Sequence, residues 1–475
     1  MSQEYGTLQI TLRGLAKELV DLIQQRWVAD WSQQPPKVGV HFNYRDIAAL
    51  PSYKNSLEEL KKIPDLKDKY SEQALEKPLE AFLEAIVHSI PNPDLLEKAI
   101  DYWWKPFIQF IETPDVPIRL FVGLSNFKAE RPEYRLDSET VIRFYENGSL
   151  QDAIEDSISI PPSEPFWHIR PPLHVIPGAI QVDFSLPANR DTLEYNADSH
   201  ECIRRMIILS NALRLCTFGR LDVGPWIPIC NPDFPVKGLP IITSSNDGKR
   251  SFEPEFSLDD AAWVRFQEIY RVLKMMQSED ENEKEAGRAV RRRFHSAISQ
   301  FTQTFEQGYW ESVVVSLVIL MESLLTPNRQ GGRMQLAIAA SNLLGGMDLS
   351  QSKELFDNLF EIYRLRNDHV HGEPMTEDAW DSRILKIANN AGASAKTLEG
   401  GVREFAFEVM RDYARRTITA MLHLYYGGQR SPSDALTYDL HRMHLDPDLY
   451  KSILATSKCY SFNNRPPWPS SIKNP

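Results

Sequence analysis

The chain has few cysteines and no long hydrophobic segment. Together these two features argue against several classes of protein. Only four of its 475 residues are cysteines, and they are widely spaced without a CxxC pair. This usage argues against a disulfide framework and a structural zinc site, and with no secretory signal at the start it favours a reducing compartment. The longest apolar run, 313–321, is about half the length needed to span a bilayer. We therefore expect a cytoplasmic protein with no membrane contact.

Positively charged residues are also outnumbered by negatively charged ones. Lysine and arginine number 53 against 65 aspartate and glutamate residues, which gives a formal net charge of −12. That balance argues against a broad surface that coats nucleic acid, so any contact with RNA must be local. The segment 115–255 contains no P-loop, no GxGxxG and no HExxH, so no motif of these kinds indicates an activity for it.

What is present is an ordinary globular composition, 42% hydrophobic and 25% charged. The length alone suggests about two or three domains. The hydrophobic period indicates an α+β protein in which a mixed α/β N-terminal region precedes an all-α C-terminal bundle. The expected segments are a helical one at 1–114, a mixed α/β or β-rich one packed on it at 115–255, a helical domain at 258–426 and a polar tail at 427–475.

The N-terminal half changes from helical to strand periodicity near residue 115. Helices are expected at 6–30, in short pieces interrupted by prolines within 54–112, and at 202–215. Strands are expected at 118–124, 140–145, 166–169 and 179–184, with a turn at 146–148 and a further strand entered through 219–225. The pair Trp103-Trp104 could stack on bases, but paired aromatics at the end of an apolar stripe are more typical of a core.

The C-terminal half has helical periodicity almost throughout. The expected helices run from about 258 to 276, through the basic stretch to Gly308, from Glu311 to Leu325, around 336–340, from Ser350 to Gly372 and from 402 to 426. An acidic connector is expected at 278–285 and a flexible loop at 388–401, and the end, 463–475, is expected to be loosely held.

The most informative stretch is Tyr363–Gly372, near the end of one predicted helix. Leu355, Leu359 and Ile362 recur at i, i+4 and i+7, and the glycine followed by Pro374 is a stop signal. The candidate functional residues in it are Arg364, Arg366, Asn367, Asp368, His369 and His371. Asn367 and His371 lie one turn apart on one face, Arg364 lies on the same side, and the long side chain of Arg366 can reach that side.

The pattern Arg366-Asn367-x3-His371, preceded by the apolar helix that ends at 320–325, resembles the R-x4-6-H motif of Apea-like HEPN domains. The resemblance covers roughly residues 285–425. It implies an all-α HEPN-like bundle and a metal-independent endoribonuclease that needs no cofactor. HEPN nucleases usually place two copies face to face, so the resemblance also implies a homodimer with a composite cleft.

The residue types suit cleavage of single-stranded RNA by attack of its own 2′-hydroxyl. Histidine exchanges protons near neutral pH, so His371 is the candidate acid and base. Arginine donates to two phosphate oxygens and keeps its charge, so Arg366 is the candidate phosphate clamp, with Asn367 as the residue that orients the histidine ring. The product would carry a 2′,3′-cyclic phosphate.

Several other residues are candidates for supporting roles. Arg364 and His369 form a second R-x4-H pair, so which arginine and which histidine act is open, although the polar residue directly after Arg366 fits the family form and favours Arg366 and His371. His369 could pair with Asp368 or could simply be exposed. Glu322, in a mostly apolar helix, could form a salt bridge with a motif arginine or be exposed at the helix end. The basic stretch Arg291, Arg292 and Arg293 could bind RNA phosphates beside the site, or could be a solvated helix face.

Other interpretations of the cluster remain open. Asp368, His369 and His371 could bind a metal, although helical ligand pairs prefer i, i+4 spacing. Arginine and histidine are also favoured at helix C-termini by the helix dipole, without any chemistry. The domain could be a non-catalytic RNA-binding or dimerisation module. It could also be a toxin or antiphage effector in which residues 1–255 bind a trigger ligand or protein and restrain the nuclease.

Overall fold

The computed structural model describes residues 5–30, 49–63, 66, 76, 79, 82–83, 96–112, 115–145, 149–157, 176–187, 201–230, 256–277, 285–305, 309–326, 332–346, 348–371, 376–393, 401–427, 440 and 445–457. The strand expected at 166–169, the turn at 146–148, Gly308, Gly372, Pro374 and the end at 463–475 lie outside these residues. So do most of the connector at 278–285 and residues 394–400 of the loop expected at 388–401.

The described elements form an α+β protein with a helical C-terminal region, as expected. The helices are α1 (Gly6–Asp30), α2 (Pro51–Lys61), α3 (Leu96–Glu112), α4 (Leu150–Ser157), α5 (Glu201–Cys216), α6 (Asp260–Gln277), α7 (Glu285–Gln303), α8 (Trp310–Leu325), α9 (Gly332–Gly345), α10 (Leu349–Val370), α11 (Glu377–Asn390), α12 (Val402–Leu422) and α13 (Pro447–Ser457). The strands are β1 (Asp115–Ser125), β2 (Phe127–Ala129), β3 (Glu133–Arg135), β4 (Thr140–Phe144), β5 (Gly178–Pro187), β6 (Asp222–Cys230) and β7 (Phe256–Leu258).

The chain divides into two compact units that alternate along the sequence. The first comprises residues 1–124, 135–204 and 224–244, and the second comprises 125–134, 205–223 and 245–475. No described helix combines the length and the hydrophobicity that a membrane crossing would need.

In the first unit, α1, α2 and α3 share a core with the first strand. Leu15 of α1, Leu60 of α2, Phe107 of α3 and Ile118 of β1 belong to one buried cluster. Trp104 is 4% exposed in the same cluster, which confirms the interpretation of the tryptophan pair as core. The five-stranded sheet has the order β3-β4-β5-β1-β6, and β5 pairs antiparallel with both β1 and β4. The strands expected at 118–124, 140–145 and 179–184 are thus confirmed.

The second unit is a helical bundle around α12. This helix packs against α6, α7, α8, α9, α11 and α13. Every residue from Phe405 to Leu422 is buried, and a π-helical turn, His423–Gly427, continues the helix. A short parallel pair, β2 with β7, belongs to the same unit.

Two local expectations need correction. Residues 388–390 were expected in a flexible loop but form the last turn of α11, whose apolar side chains Ile384 and Ile387 are buried. The segment 427–475, expected as a polar tail, contains α13, whose Ile453 and Leu454 are buried. In both places a short apolar stripe is covered by neighbouring helices, and burial there outweighs a polar composition.

Candidate active site

The helix that carries the motif is α10, and its ends are fixed by local hydrogen bonds. Asp348 is the N-cap and accepts from the backbone N–H groups of Ser350 and Gln351. At the other end, the backbone N–H of His371 donates to the carbonyl oxygen of Asn367 at 2.9 Å, which makes His371 the C-cap. The predicted position of the motif on the last turns of a helix is therefore confirmed.

Arg366 and Asn367 are in contact. Nη1 of the half-buried Arg366 donates to Oδ1 of Asn367 at 2.9 Å, and its guanidinium lies 5.6 Å from the centroid of the Tyr363 ring. Among the described residues, no carboxylate forms an ion pair with this guanidinium. Arg366 is thus held by an amide and an aromatic ring, both of which leave its charge uncompensated.

Tyr363 links the motif to Glu322 on α8. Burial raises the pKa of Tyr363, and hydrogen bonding with the Glu322 carboxylate and its negative charge add to that rise. The charges of Arg366 and Arg333 oppose it, which places both guanidiniums within electrostatic reach of the hydroxyl. Glu322 is half-buried, and no salt bridge between it and a motif arginine occurs within the part of the chain that the structure describes.

Three other cations near the motif, Arg364, Lys386 and Arg383, are paired with carboxylates. Arg364 lies 3.4 Å from Oε1 of Glu361, and Lys386 of α11 donates to the same oxygen at 2.6 Å. Arg383 of α11 pairs with Asp368. Asp368 is therefore engaged by an arginine of another helix, whereas the sequence had left open whether it pairs with His369.

Both histidines of the motif are exposed. In the described ranges, no side-chain hydrogen bond joins the imidazole of His371 to Arg366 or Asn367, and the amide oxygen of Asn367 accepts from Arg366. The expected role of Asn367 in orienting the histidine ring stays a prediction. The structure brings Arg366 and Asn367 together and leaves His371 open to a substrate or to a second copy of the chain.

Two residues near the motif were not found from the sequence. Arg333, in the first turn of α9, places its guanidinium 3.8 Å from the centroid of the Phe360 ring on α10. Arg364 lies 5.3 Å from the same centroid. Neither Arg333 nor Phe360 is part of a sequence motif. They come together only because α9 packs on α10.

The basic stretch lies on α7, a helix that packs against α8 and α12. Arg292 pairs with Glu285 on its own helix. Arg291 lies close enough to Tyr426 to lower its pKa against the effect of burial, and Phe294 packs edge-on against Tyr425. These contacts place the stretch beside the end of α12, and a role for Arg291, Arg292 and Arg293 in binding RNA stays a prediction.

A separate cavity of about 240 Å³ lies between α5, α6 and α7. Apolar side chains such as Leu273 and Ile298 line it together with polar ones such as Asn211 and His295, and none of its lining residues belongs to the motif. No group of three or more histidine, cysteine, aspartate or glutamate residues placed to hold a metal ion occurs among the residues that the structure describes.

Comparison with known proteins gave no match to this chain from any protein-family model, any curated protein or any solved structure.

Proposed function

We propose that this protein is a metal-independent endoribonuclease of HEPN type that cleaves single-stranded RNA. The observation that carries the proposal is the environment of Arg366, whose guanidinium is held by Asn367 and Tyr363 without a described carboxylate partner. An arginine in this state keeps N–H donors and a full positive charge available for a phosphate. His371, exposed one turn beyond Asn367, supplies a group that can exchange protons near neutral pH.

In the proposed reaction the RNA supplies its own nucleophile. The 2′-oxygen forms a bond to the adjacent phosphorus, the bond from phosphorus to the 5′-oxygen breaks, and the products carry a 2′,3′-cyclic phosphate and a 5′-hydroxyl. His371 takes the proton of the 2′-hydroxyl or returns one to the leaving 5′-oxygen. Arg366 binds the non-bridging oxygens, whose negative charge increases in the transition state.

The reaction needs a base and an acid at the same time, and one imidazole supplies one of them. A homodimer in which two motifs face one cleft would supply both. Residues 1–255 would then bind a trigger ligand or protein and restrain the nuclease. A role as a conditional toxin or in antiviral defence follows from the resemblance to HEPN proteins.

The test is cleavage of labelled single-stranded RNA in EDTA by the wild type, Arg366→Ala and His371→Ala. Removing the phosphate clamp or the proton-transfer group should reduce the cleavage rate by at least about 100-fold. Arg364→Ala and His369→Ala are matched controls, since they remove the same residue types from the same helix end, and they should stay within a few-fold of the wild type. Cleavage that survives both of the first two substitutions would refute the site.

A second candidate is a non-catalytic RNA-binding or dimerisation module. The observation that favours it is the absence, among the described residues, of a hydrogen bond between the His371 imidazole and Arg366 or Asn367. This function predicts a folded dimer that binds RNA without cutting it. Binding should then be weakened by Arg366→Ala and not by His371→Ala.

A further inference from the structure

The cations around the motif fall into two groups. Arg364, Lys386 and Arg383 each pair with a buried or half-buried carboxylate, Glu361 or Asp368. Arg366 and Arg333 form no ion pair with any described residue. A pairing carboxylate competes with an anionic ligand for the same N–H donors, so the second group is the one able to bind a phosphate.

Each of the two arginines without ion pairs lies over an aromatic ring of α10. Arg333 lies 3.8 Å from the ring centroid of Phe360, and Arg366 lies 5.6 Å from that of Tyr363. Phe360 and Tyr363 are three residues apart, so their side chains are neighbours on the helix surface, with about 5–6 Å between Cβ atoms. The aromatic faces position both guanidiniums without neutralising them.

The start of α9 is fixed against the same face. Gly332 has a φ of +52°, which favours glycine, and a Cβ there would lie 3.8 Å from the hydroxyl oxygen of Tyr363. Arg333 follows directly, so its backbone is anchored beside the ring that holds Arg366. Among the described residues, Glu322 is the carboxylate that acts on this hydroxyl, and the guanidiniums of Arg366 and Arg333 act on it in the opposite direction.

We propose that Arg333 and Arg366 form a two-guanidinium site that binds successive phosphates of an RNA strand. The inference rests on the proposed function and extends it, because Arg333 lies on a different helix from the motif and becomes a substrate-binding residue. Arg366 contacts the scissile phosphate and Arg333 a neighbouring phosphate of the same strand. In a chain with a net charge of −12, such a local pair supplies positive charge for binding a polyanion that the overall charge disfavours.

Arg364 is the matched control for Arg333. Both guanidiniums lie over Phe360, at 5.3 and 3.8 Å from its centroid, but Arg364 is paired with Glu361. The experiment measures anisotropy of a labelled, fully 2′-O-methylated RNA oligonucleotide, which cannot be cleaved because its nucleophile is blocked. The dissociation constant is recorded over a range of KCl concentrations for the wild type, Arg333→Gln, Arg333→Lys and Arg364→Gln.

Each phosphate contact with a single strand contributes about 0.7 to the slope of log K against log salt concentration. Arg333→Gln should therefore lower the slope by about 0.7 and weaken binding several-fold at low salt. Arg333→Lys should keep the slope, because it keeps the charge, and Arg364→Gln should behave as the wild type. An unchanged slope in Arg333→Gln, or an equal fall in Arg364→Gln, would overturn the inference.

Inorganic pyrophosphate separates failure of this site from failure of the proposed function. It presents two linked phosphates without a nucleic acid, and binding should raise the thermal midpoint of the wild type but not of Arg333→Gln. If that difference is seen while RNA does not bind, the two-guanidinium site stands and the assignment to RNA fails. If pyrophosphate shifts both proteins equally or neither, the site itself is wrong, whatever the cleavage assay gives.

Discussion

At the scale of single residues, Arg364 and Arg366 differ in what they can bind although they lie two positions apart on one helix. Arg364 turns towards Glu361, which Lys386 also contacts. Arg366 turns towards Tyr363 and Asn367, and no described carboxylate pairs with it. The sequence contains two R-x4-H pairs, Arg364 with His369 and Arg366 with His371, and it favours the second only because Asn367 follows its arginine as in the HEPN motif. The partners supplied by α10 and α11 favour Arg366 as the arginine that binds phosphate.

The buried His423 predicts how stability depends on pH. Burial lowers the pKa of His423, and the charge of Arg271 lowers it further, against the hydrogen bond with the Thr419 carbonyl oxygen at 2.7 Å. The unfolded chain therefore binds a proton at higher pH than the folded one. The stabilisation is present above the unfolded pKa of about 6.5 and is lost as pH falls below it towards the folded pKa.

The measurement is the urea-unfolding midpoint between pH 8 and pH 5, for the wild type and His423→Gln. The amide side chain can keep a hydrogen bond and does not titrate, so the wild type should lose more stability on acidification than the variant. Glu268, whose carboxylate lies 4.0 Å from Nε2, is present in both proteins, so the comparison reports the titration of His423 together with this contact. Parallel pH profiles of the two proteins would contradict the prediction.

At the scale of elements, α12 is buried on every side despite five charged residues in its middle. Its arginines donate to carbonyl groups at the C-terminal ends of neighbouring helices. Arg411 reaches the carbonyl oxygen of Thr304 after α7, Arg415 that of Leu215 in α5, and Arg416 that of Leu344 in α9. The C-terminal ends of three helices are thus capped by arginine side chains of α12. These hydrogen bonds explain how a helix with charged residues can lie in the core.

Removing one of these arginines should be far more damaging than removing an exposed one from the same helix. Arg411 pairs with the buried Glu408, and breaking such a pair costs about 3–5 kcal/mol. Arg403, at the start of α12, pairs with Asp381 and Glu377 and is 37% exposed, so its loss should cost at most about 1 kcal/mol. Urea unfolding of Arg411→Met and Arg403→Met measures the difference, and midpoints that shift equally would show that the buried pair is not special.

The elements show what periodicity can and cannot predict. A stripe such as Phe405, Val409 and Tyr413 correctly predicts a helix, because apolar spacing follows from the helical period. It does not predict that the opposite face is also buried, since charged residues normally face water. Apolar spacing does not predict helix α11, which carries Lys386 and Arg383, because its apolar positions are few. They are buried only because neighbouring helices cover them.

At the scale of the whole molecule, contacts between segments far apart in the chain are the feature that the sequence predicts least well. Strand β1 lies between β5 and β6 in the sheet, and residues 125–134 and 205–223 cluster with the helical unit. Such contacts join segments far apart in sequence, and no local pattern encodes them. The candidate site follows the same rule. The motif on α10 could be found by spacing, but Arg333 could be found only after α9 was seen to pack on α10.

The last prediction concerns the assembly that the proposed reaction requires. If each cleft needs His371 from two copies, a mixed dimer of wild type and His371→Ala is inactive. After mixing equal amounts and allowing subunits to exchange, RNA cleavage should fall to about one quarter of the all-wild-type value, the fraction of dimers with two intact copies. Copies that act independently would retain about one half. The same mixture with His369→Ala should keep full activity, because this neighbouring histidine has no part in the proposed chemistry. A fall to about one half, with a dimer present, would be consistent with the proposed nuclease activity but would contradict a cleft shared between two copies.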